Sequence, residues 1–290
     1  MTALLRLTRH SRPYSSALEL SRRVNHQLAR PRSSAPPHWI EPLVGVVVTS
    51  RHGWRCYELT PRRPPVVAAR RVVYWHGGAY VFEISPFHWL AAAKIVAASR
   101  VPLVLPIYPL APLSTAGATV GTATRIVADL AEGLGADSVT LMGDSAGGGL
   151  ALAAAQRLRS QHNTRLRAII LISPWLDVTM TDPGSAAIAP HDAMLRRPGL
   201  VEAGRLYAGE LDVRDPLVSP LHGGVQGLAP LTVFSGTHDL VHPDSRRLEA
   251  VAAEAGVRID HEVLVGGQHC FPLHPIREGG AALRRIARLV

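Results

Sequence analysis

Cysteine, lysine and aromatic residues are all scarce in this chain of 290 residues, and long uncharged apolar runs are missing. The two cysteines, Cys56 and Cys270, lie far apart and make no disulfide framework; so small a number fits a reducing compartment, and a cytoplasmic location is the expectation. Every apolar stretch is broken by Pro, Arg or Gly before it reaches the ~18 residues a membrane helix needs. Lys94 is the only lysine among 31 basic residues, an arginine bias that reads as genome composition rather than function. The first nine residues carry Arg6 and Arg9 inside their apolar pattern, too short a run for a secretory core, and read as a retained helical segment.

Charge is distributed unevenly. Residues 1–71 hold 13 arginines against Glu19, Glu41 and Glu58, a net of +10, whereas residues 72–290 hold 18 basic and 19 acidic side chains. The body of the protein is therefore close to neutral and shows no nucleic-acid motif, so no nucleic-acid partner is expected. The basic amino-terminal segment reads first as a solvated face, with contact to a lipid surface or an acidic partner as its functional alternative. Oligomeric state is left open, a homodimer included. What the chain does have is apolar bulk, 47% of its residues, ample for the core of one α/β enzyme with a lid.

Strand and helix patterns alternate along most of the sequence. Residues 43–49 and 54–60 read as a hairpin turned at Arg51-His52-Gly53, and residues 70–75, 103–106, 138–142, 168–172, 231–235 and 258–265 as further strands. Helices are expected at 4–28 (one or two, divided at Pro13), 89–99, 118–132, 146–159, 245–255 and 281–289. Helix-length connections between strands predict a mostly parallel central sheet with helices on both faces, its chemistry at the carboxyl ends of the strands. The rhythm fails over 178–228, a stretch too long for an ordinary loop and read as either a lid or a small subdomain. The expected division is an amino-terminal lid segment at 1–38, a core at 39–177, the lid insertion at 178–228 and the rest of the core at 229–290.

Chemistry concentrates at Gly143-Asp144-Ser145-Ala146-Gly147, a G-x-S-x-G between a strand and an Ala/Leu-rich helix. The bland reading is a glycine turn with an incidental serine. The sharper one puts Ser145 on a strained elbow, its hydroxyl exposed at a helix amino end. After an earlier strand, His76-Gly77-Gly78-Ala79 lets the backbone turn so that successive N–H groups, with that of Ala146, could hold an oxyanion. His76 is not assigned as the base. His269, in a glycine-rich loop after the last strand, is the candidate base; Asp239, after the preceding strand, is the candidate acid. Asp244 is the rival acid and reads better as a helix N-cap. The order Ser145, Asp239, His269 is that of an α/β hydrolase.

On these residues the chain, from about Val72 onward, resembles the hormone-sensitive-lipase-like family of α/β hydrolases. The family's His-Gly-Gly signature stands at His76-Gly77-Gly78, and its Gly-Asp-Ser-Ala-Gly-Gly elbow at residues 143–148. Ser173-Pro174-Trp175-Leu176-Asp177 and Asp215-Pro216-Leu217-Val218-Ser219-Pro220 resemble segments at the two ends of the family's lid. The resemblance implies the α/β-hydrolase fold with a helical lid. It also implies Ser145, Asp239 and His269 as nucleophile, acid and base, with Gly77, Gly78, Ala79 and Ala146 bordering the oxyanion hole. Three departures stand out. Ala79 takes the place of a third glycine. Tyr108-Pro109-Leu110-Ala111-Pro112-Leu113 lacks the family's Arg and Glu. Cys270 replaces the glycine after the base.

The expected function is hydrolysis of a small-molecule carboxylic ester through an acyl-enzyme, with no metal or cofactor required. Short to medium acyl chains are favoured, because the lid segments supply few aromatics (Tyr14, Trp39, Tyr207) and no extended apolar docking stretch. Two alternatives use the same scaffold: a catalytically silent small-molecule receptor, which the presence of His269 argues against, and an amidase or transacylase.

Overall fold

Eight strands join into one sheet: β1 (Val44–Arg51), β2 (Trp54–Pro61), β3 (Arg71–Trp75), β4 (Leu103–Pro106), β5 (Val139–Asp144), β6 (Ala168–Ile172), β7 (Leu231–Gly236) and β8 (Ile259–Leu264). This is a computed structural model, and it describes residues 2, 5, 11–65, 67, 69–135, 137–162 and 164–290. The spatial order is β1-β2-β4-β3-β5-β6-β7-β8. β2 runs antiparallel to both neighbours, and every pairing from β4 to β8 is parallel. The expected hairpin turns at His52 and Gly53, both with positive φ.

The eight described α-helices longer than one turn are α1 (Ala17–Ala29), α2 (Pro86–Ser99), α3 (Ala116–Leu134), α4 (Ala146–Gln161), α5 (Gly184–Ile188), α6 (Arg197–Ala208), α7 (His242–Glu254) and α8 (Arg277–Leu289). The central strands are apolar on both faces because both are covered. Tyr74, Met142, Ile170 and Phe234 pack one way, with Trp89 of α2 and Leu283 and Ile286 of α8. Their sequence neighbours Val73, Leu141, Leu171 and Val233 point the other way, with Val127 of α3, Leu150 of α4 and Leu248 of α7. The period-2 alternation of the strands thus divides the core into two layers.

The lid stretch holds a helix that its own sequence pattern does not show. The stretch 178–228, which lacks a clean period in sequence, contains the twelve-residue helix α6. Its buried face is built from Gly199, Leu200, Ala203, Gly204 and Tyr207, spaced as a helix requires but partly glycine, which reads as a breaker. Both glycines are needed for close approach: a Cβ on Gly199 would fall on the main chain of Tyr14, and one on Gly204 on the side chain of Val178. Before α6 in sequence, Ser16 caps α1 by accepting the Glu19 N–H at 3.1 Å, and α1 buries Leu20 and Val24. α1 packs against α6. The earlier part of the helix expected at 4–28 lies largely outside the described residues.

Candidate active site

β5 ends in the elbow. Ser145 has φ +52° and ψ −121°, a conformation an L-residue holds only when its surroundings force it. The surroundings do so: a Cβ on Gly143 would meet the Gly147 carbonyl, and one on Gly147 the carbonyls of Trp75 and His76. Both glycines of the motif are therefore demanded by backbone contact. Ser145 follows β5 directly, at the amino end of α4, and is 8% exposed.

Two loops from distant parts of the chain reach the serine. His269 Nε2 lies 2.9 Å from Ser145 Oγ, and His269 Nδ1 lies 2.9 Å from Asp239 Oδ1. Asp239 is wholly buried; its Oδ1 also accepts the Val241 N–H at 3.1 Å. Cys270 occupies a left-handed position, φ +53°, which explains why glycine suits that place, and its N–H donates to Ser173 Oγ at 2.9 Å. Burial pushes the Cys270 thiol up to about 12, so it is neutral at neutral pH. Burial pulls the His269 pKa down, but the charge of Asp239 and the bond to it outweigh that, holding the imidazole well above its ordinary 6.5. A neutral thiol exerts no charge on the ring, so we attribute the rise to Asp239 rather than to Cys270.

Tyr108 and Asp144 shape the opposite wall. Asp144, between the glycine and the serine of the elbow, accepts from Tyr74 Oη (2.6 Å), the Gly77 N–H (3.0 Å) and His88 Nε2 (3.1 Å). Gly77 therefore borders the turn, but its own N–H is already taken by Asp144. Among the described residues, the amides of Gly78 and Ala79 and that of Ala146 have no acceptor within the protein. Gly78 takes φ +124°, and Ala79 φ +53°. His76 is buried and stacked on Tyr108 at 4.5 Å between centroids. Burial and the neighbouring His88 pull its pKa down to about 4. Tyr108 Oη donates to the His76 carbonyl at 2.7 Å, and the Ala111 N–H to that of Tyr80 at 2.9 Å. The loop lacking the family's Arg and Glu thus still pins the glycine turn. Sequence reasoning assigned no role to Asp144 or Tyr108. Asp144 could have been found, since it sits inside the elbow motif.

Asp244 is not an N-cap. Helix α7 begins at His242, Val241 stands at its N-cap, and Asp244 lies inside its first turn. Its Oδ2 accepts the N–H groups of Leu176 and Asp177 at 2.9 and 3.0 Å, tying α7 to the start of the lid insertion. The sequence reading failed because Pro243 starts the helix early, at a position that needs no N–H. Burial raises the Asp244 pKa from 3.8 to about 7, opposed by those two amides. A carboxyl whose folded pKa is raised costs stability as pH climbs from its unfolded value through its folded one. In Asp244→Asn the amide oxygen can keep both bonds without the charge. At pH 8 this variant is expected to exceed the parent in unfolding free energy by about 4 kcal/mol, the gap closing towards pH 4. Denaturant titrations at the two pH values check this.

A mostly parallel sheet with a nucleophile elbow on its fifth strand, and a histidine and an acid on later loops, is the design of an α/β hydrolase. A family profile described as alpha/beta hydrolase fold matches residues 72–273. A triacylglycerol lipase of Mycobacterium tuberculosis is 35% identical over 226 residues, which cover 77% of this chain and 46% of the lipase. The chain thus spans less than half of that relative's length. An acetyl-hydrolase of Streptomyces hygroscopicus is 33% identical over 227 residues, covering 78% of this chain and 76% of the relative. The crystal structure of an esterase from the bacterial hormone-sensitive lipase family superposes with TM-score 0.84 at 26% identity, covering 99% of this chain and 94% of that one. The chain belongs to the hormone-sensitive-lipase-like family of α/β hydrolases. Among the described residues no helix is long and apolar enough to cross a membrane.

Proposed function

We propose that the protein cleaves carboxylic esters of short to medium acyl chains through an acyl-enzyme on Ser145. The observation that carries this reading is the chain of two 2.9 Å hydrogen bonds from Ser145 through His269 to Asp239. His269 Nε2 takes the Ser145 proton as Oγ attacks the ester carbonyl, and Asp239 stabilises the imidazolium. The amides of Gly78, Ala79 and Ala146 hold the oxyanion. The imidazolium returns the proton to the departing alcohol; water, activated in the same way, then releases the acid and restores Ser145. A base already hydrogen-bonded to its serine favours a hydrolase over a silent receptor on this scaffold.

Residues 1–38 and 178–228 act as the lid in this reading. Its support is that Tyr14 packs edge-on against Phe82 at 5.8 Å and that Gln27 Nε2 donates to the Val81 carbonyl at 2.8 Å. Both contacts fall just beyond the glycine turn. The acyl preference draws on the aromatics near the elbow. Tyr80 stacks on Tyr207 with centroids 3.5 Å apart, and Trp175, whose main-chain N–H donates to the Ser145 carbonyl, lies 5.8 Å from Tyr80. In this reading those buried rings bound the acyl site. The relative named acetyl-hydrolase points the same way. With p-nitrophenyl esters from acetyl to palmitoyl, the highest kcat/KM is expected at butyryl or shorter; a preference for emulsified long-chain esters would overturn the chain-length reading.

The pH dependence follows from His269. The base works only when neutral, and its pKa is held above 6.5. The acid limb of kcat/KM is therefore expected to have its midpoint above pH 6.5, giving a neutral-to-alkaline optimum. A rate flat from pH 5 to 8 would remove His269 from the role. Homodimer formation and lipid contact through the basic amino-terminal segment are further parts of the proposal, checked by sedimentation and by flotation with anionic vesicles.

A further inference from the structure

The segment between α5 and α6 is bound to both loops that carry the acid and the base. Asp192 has no accessible surface, although it belongs to the lid insertion. Its Oδ1 accepts the N–H groups of Met194 and Leu195 at 2.6 and 2.8 Å, closing a local turn. Its Oδ2 leaves that turn and accepts the N–H of Leu240 at 2.8 Å, the residue directly after Asp239. On one side of this bond the ring of His191 stacks on that of His238, centroids 4.9 Å apart. On the other, Gln268 bridges back from the base loop: its Oε1 accepts the Ala193 N–H at 2.8 Å and its Nε2 donates to the His191 carbonyl at 3.0 Å. Residues 191–193 thus meet both neighbours of Asp239 and the residue before His269.

We infer that Asp192 is a positioning residue of the hydrolytic site, a second buried carboxyl that fixes the Asp239 loop from the lid. The residue type matters. Both oxygens accept backbone N–H groups, and an amide can offer only one acceptor oxygen while turning its NH2 towards a donor. Burial and the charge of Asp239 raise the Asp192 pKa, whereas the amides of Leu195 and Met194 and the attraction of His269 oppose that. The other titratable or charged groups around the pair are His191 and Arg196 on its own segment, His238 on the acid loop, His242 at the start of α7, and Cys270 beside the base. Arg196 donates to main-chain carbonyls of Asp192 and Leu195 rather than to the carboxylate. The lid insertion, in this account, supplies part of the support for the acid and not only a cover over it.

The inference rests on the triad reading, and its test separates the two. The parent enzyme is assayed with p-nitrophenyl butyrate from pH 5 to 9 beside Asp192→Asn, Asp192→Ser and Gln268→Ala, with thermal unfolding followed in parallel. Failure of the triad reading shows in the parent, as a missing acid limb. For Asp192→Asn, kcat is expected to fall about 10- to 100-fold with KM within about 3-fold. Its acid limb is expected to move to lower pH by roughly half a unit or more, because a loosened Asp239 loop holds the imidazolium less firmly. Asp192→Ser keeps an acceptor for the local turn and cuts only the link to Leu240; it reads the same two quantities if the Asn variant does not fold. Gln268→Ala loosens the same segment from the base loop and should move kcat in the same direction by less. Asp192 variants that lose thermal stability while keeping both kcat and the acid limb would overturn the inference and leave the residue as a local brace.

Discussion

Ser145→Ala is expected to lower kcat on a short-chain p-nitrophenyl ester by at least about 10,000-fold while leaving the fold intact. Removing the proposed nucleophile would leave only the contribution of oxyanion binding and substrate placement. The substitution is structurally mild: Ser145 Oγ bonds only His269 among the described residues. The strained backbone at φ +52° is imposed by Gly143 and Gly147 and does not depend on the hydroxyl. Unfolding curves of variant and parent should therefore nearly superimpose. A variant that keeps more than a few per cent of parental kcat, on material free of contaminating esterase, would place the nucleophile elsewhere.

Gly77→Ala is expected to be the most damaging one-atom change at the site. A Cβ there would fall on Asp144 Oδ2, with the Asp144 carbonyl at 3.0 Å and Ser145 Cβ at 3.1 Å also in its way. Neither wall can yield. Asp144 is clamped by Tyr74, His88 and the Gly77 amide, and the elbow is held by main-chain contacts. The glycine turn must move, carrying the amides of Gly78 and Ala79 off the place where charge develops. A loss of about 100- to 1000-fold in kcat is expected, the range associated with removing an oxyanion donor, together with a drop in stability of about 1–3 kcal/mol from overpacking. Steady-state kinetics with a urea titration separates the two effects. Parental kcat in the alanine variant would show that these amides do not contribute.

How much of this was legible in the sequence depends on how local each cause is. The elbow and the glycine turn could be read because their glycines are demanded by contacts within two short motifs. Asp239 and His269 could be read because the strand rhythm sets each just past a strand end, and the sheet brings those ends together. α6 could not, since the reason for Gly199 and Gly204 is their approach to Tyr14 and Val178, remote in sequence. Asp244 was misread because its two amide partners lie 68 and 67 residues away. Asp192 gave no signal at all. Its surroundings are apolar or unremarkable in sequence, and its partner Leu240 is 48 residues distant. Local backbone constraints leave a motif; tertiary hydrogen bonds made by a single side chain do not.

The central claim, that Ser145 forms a covalent intermediate with the help of His269, is tested most directly by mass spectrometry after reaction with a fluorophosphonate ester. A single phosphonyl adduct is expected on the peptide containing Ser145 in the parent protein, with the rate of labelling sharply reduced in His269→Ala and no adduct in Ser145→Ala. A label on another residue, or labelling of Ser145 at the same rate without His269, would contradict the account.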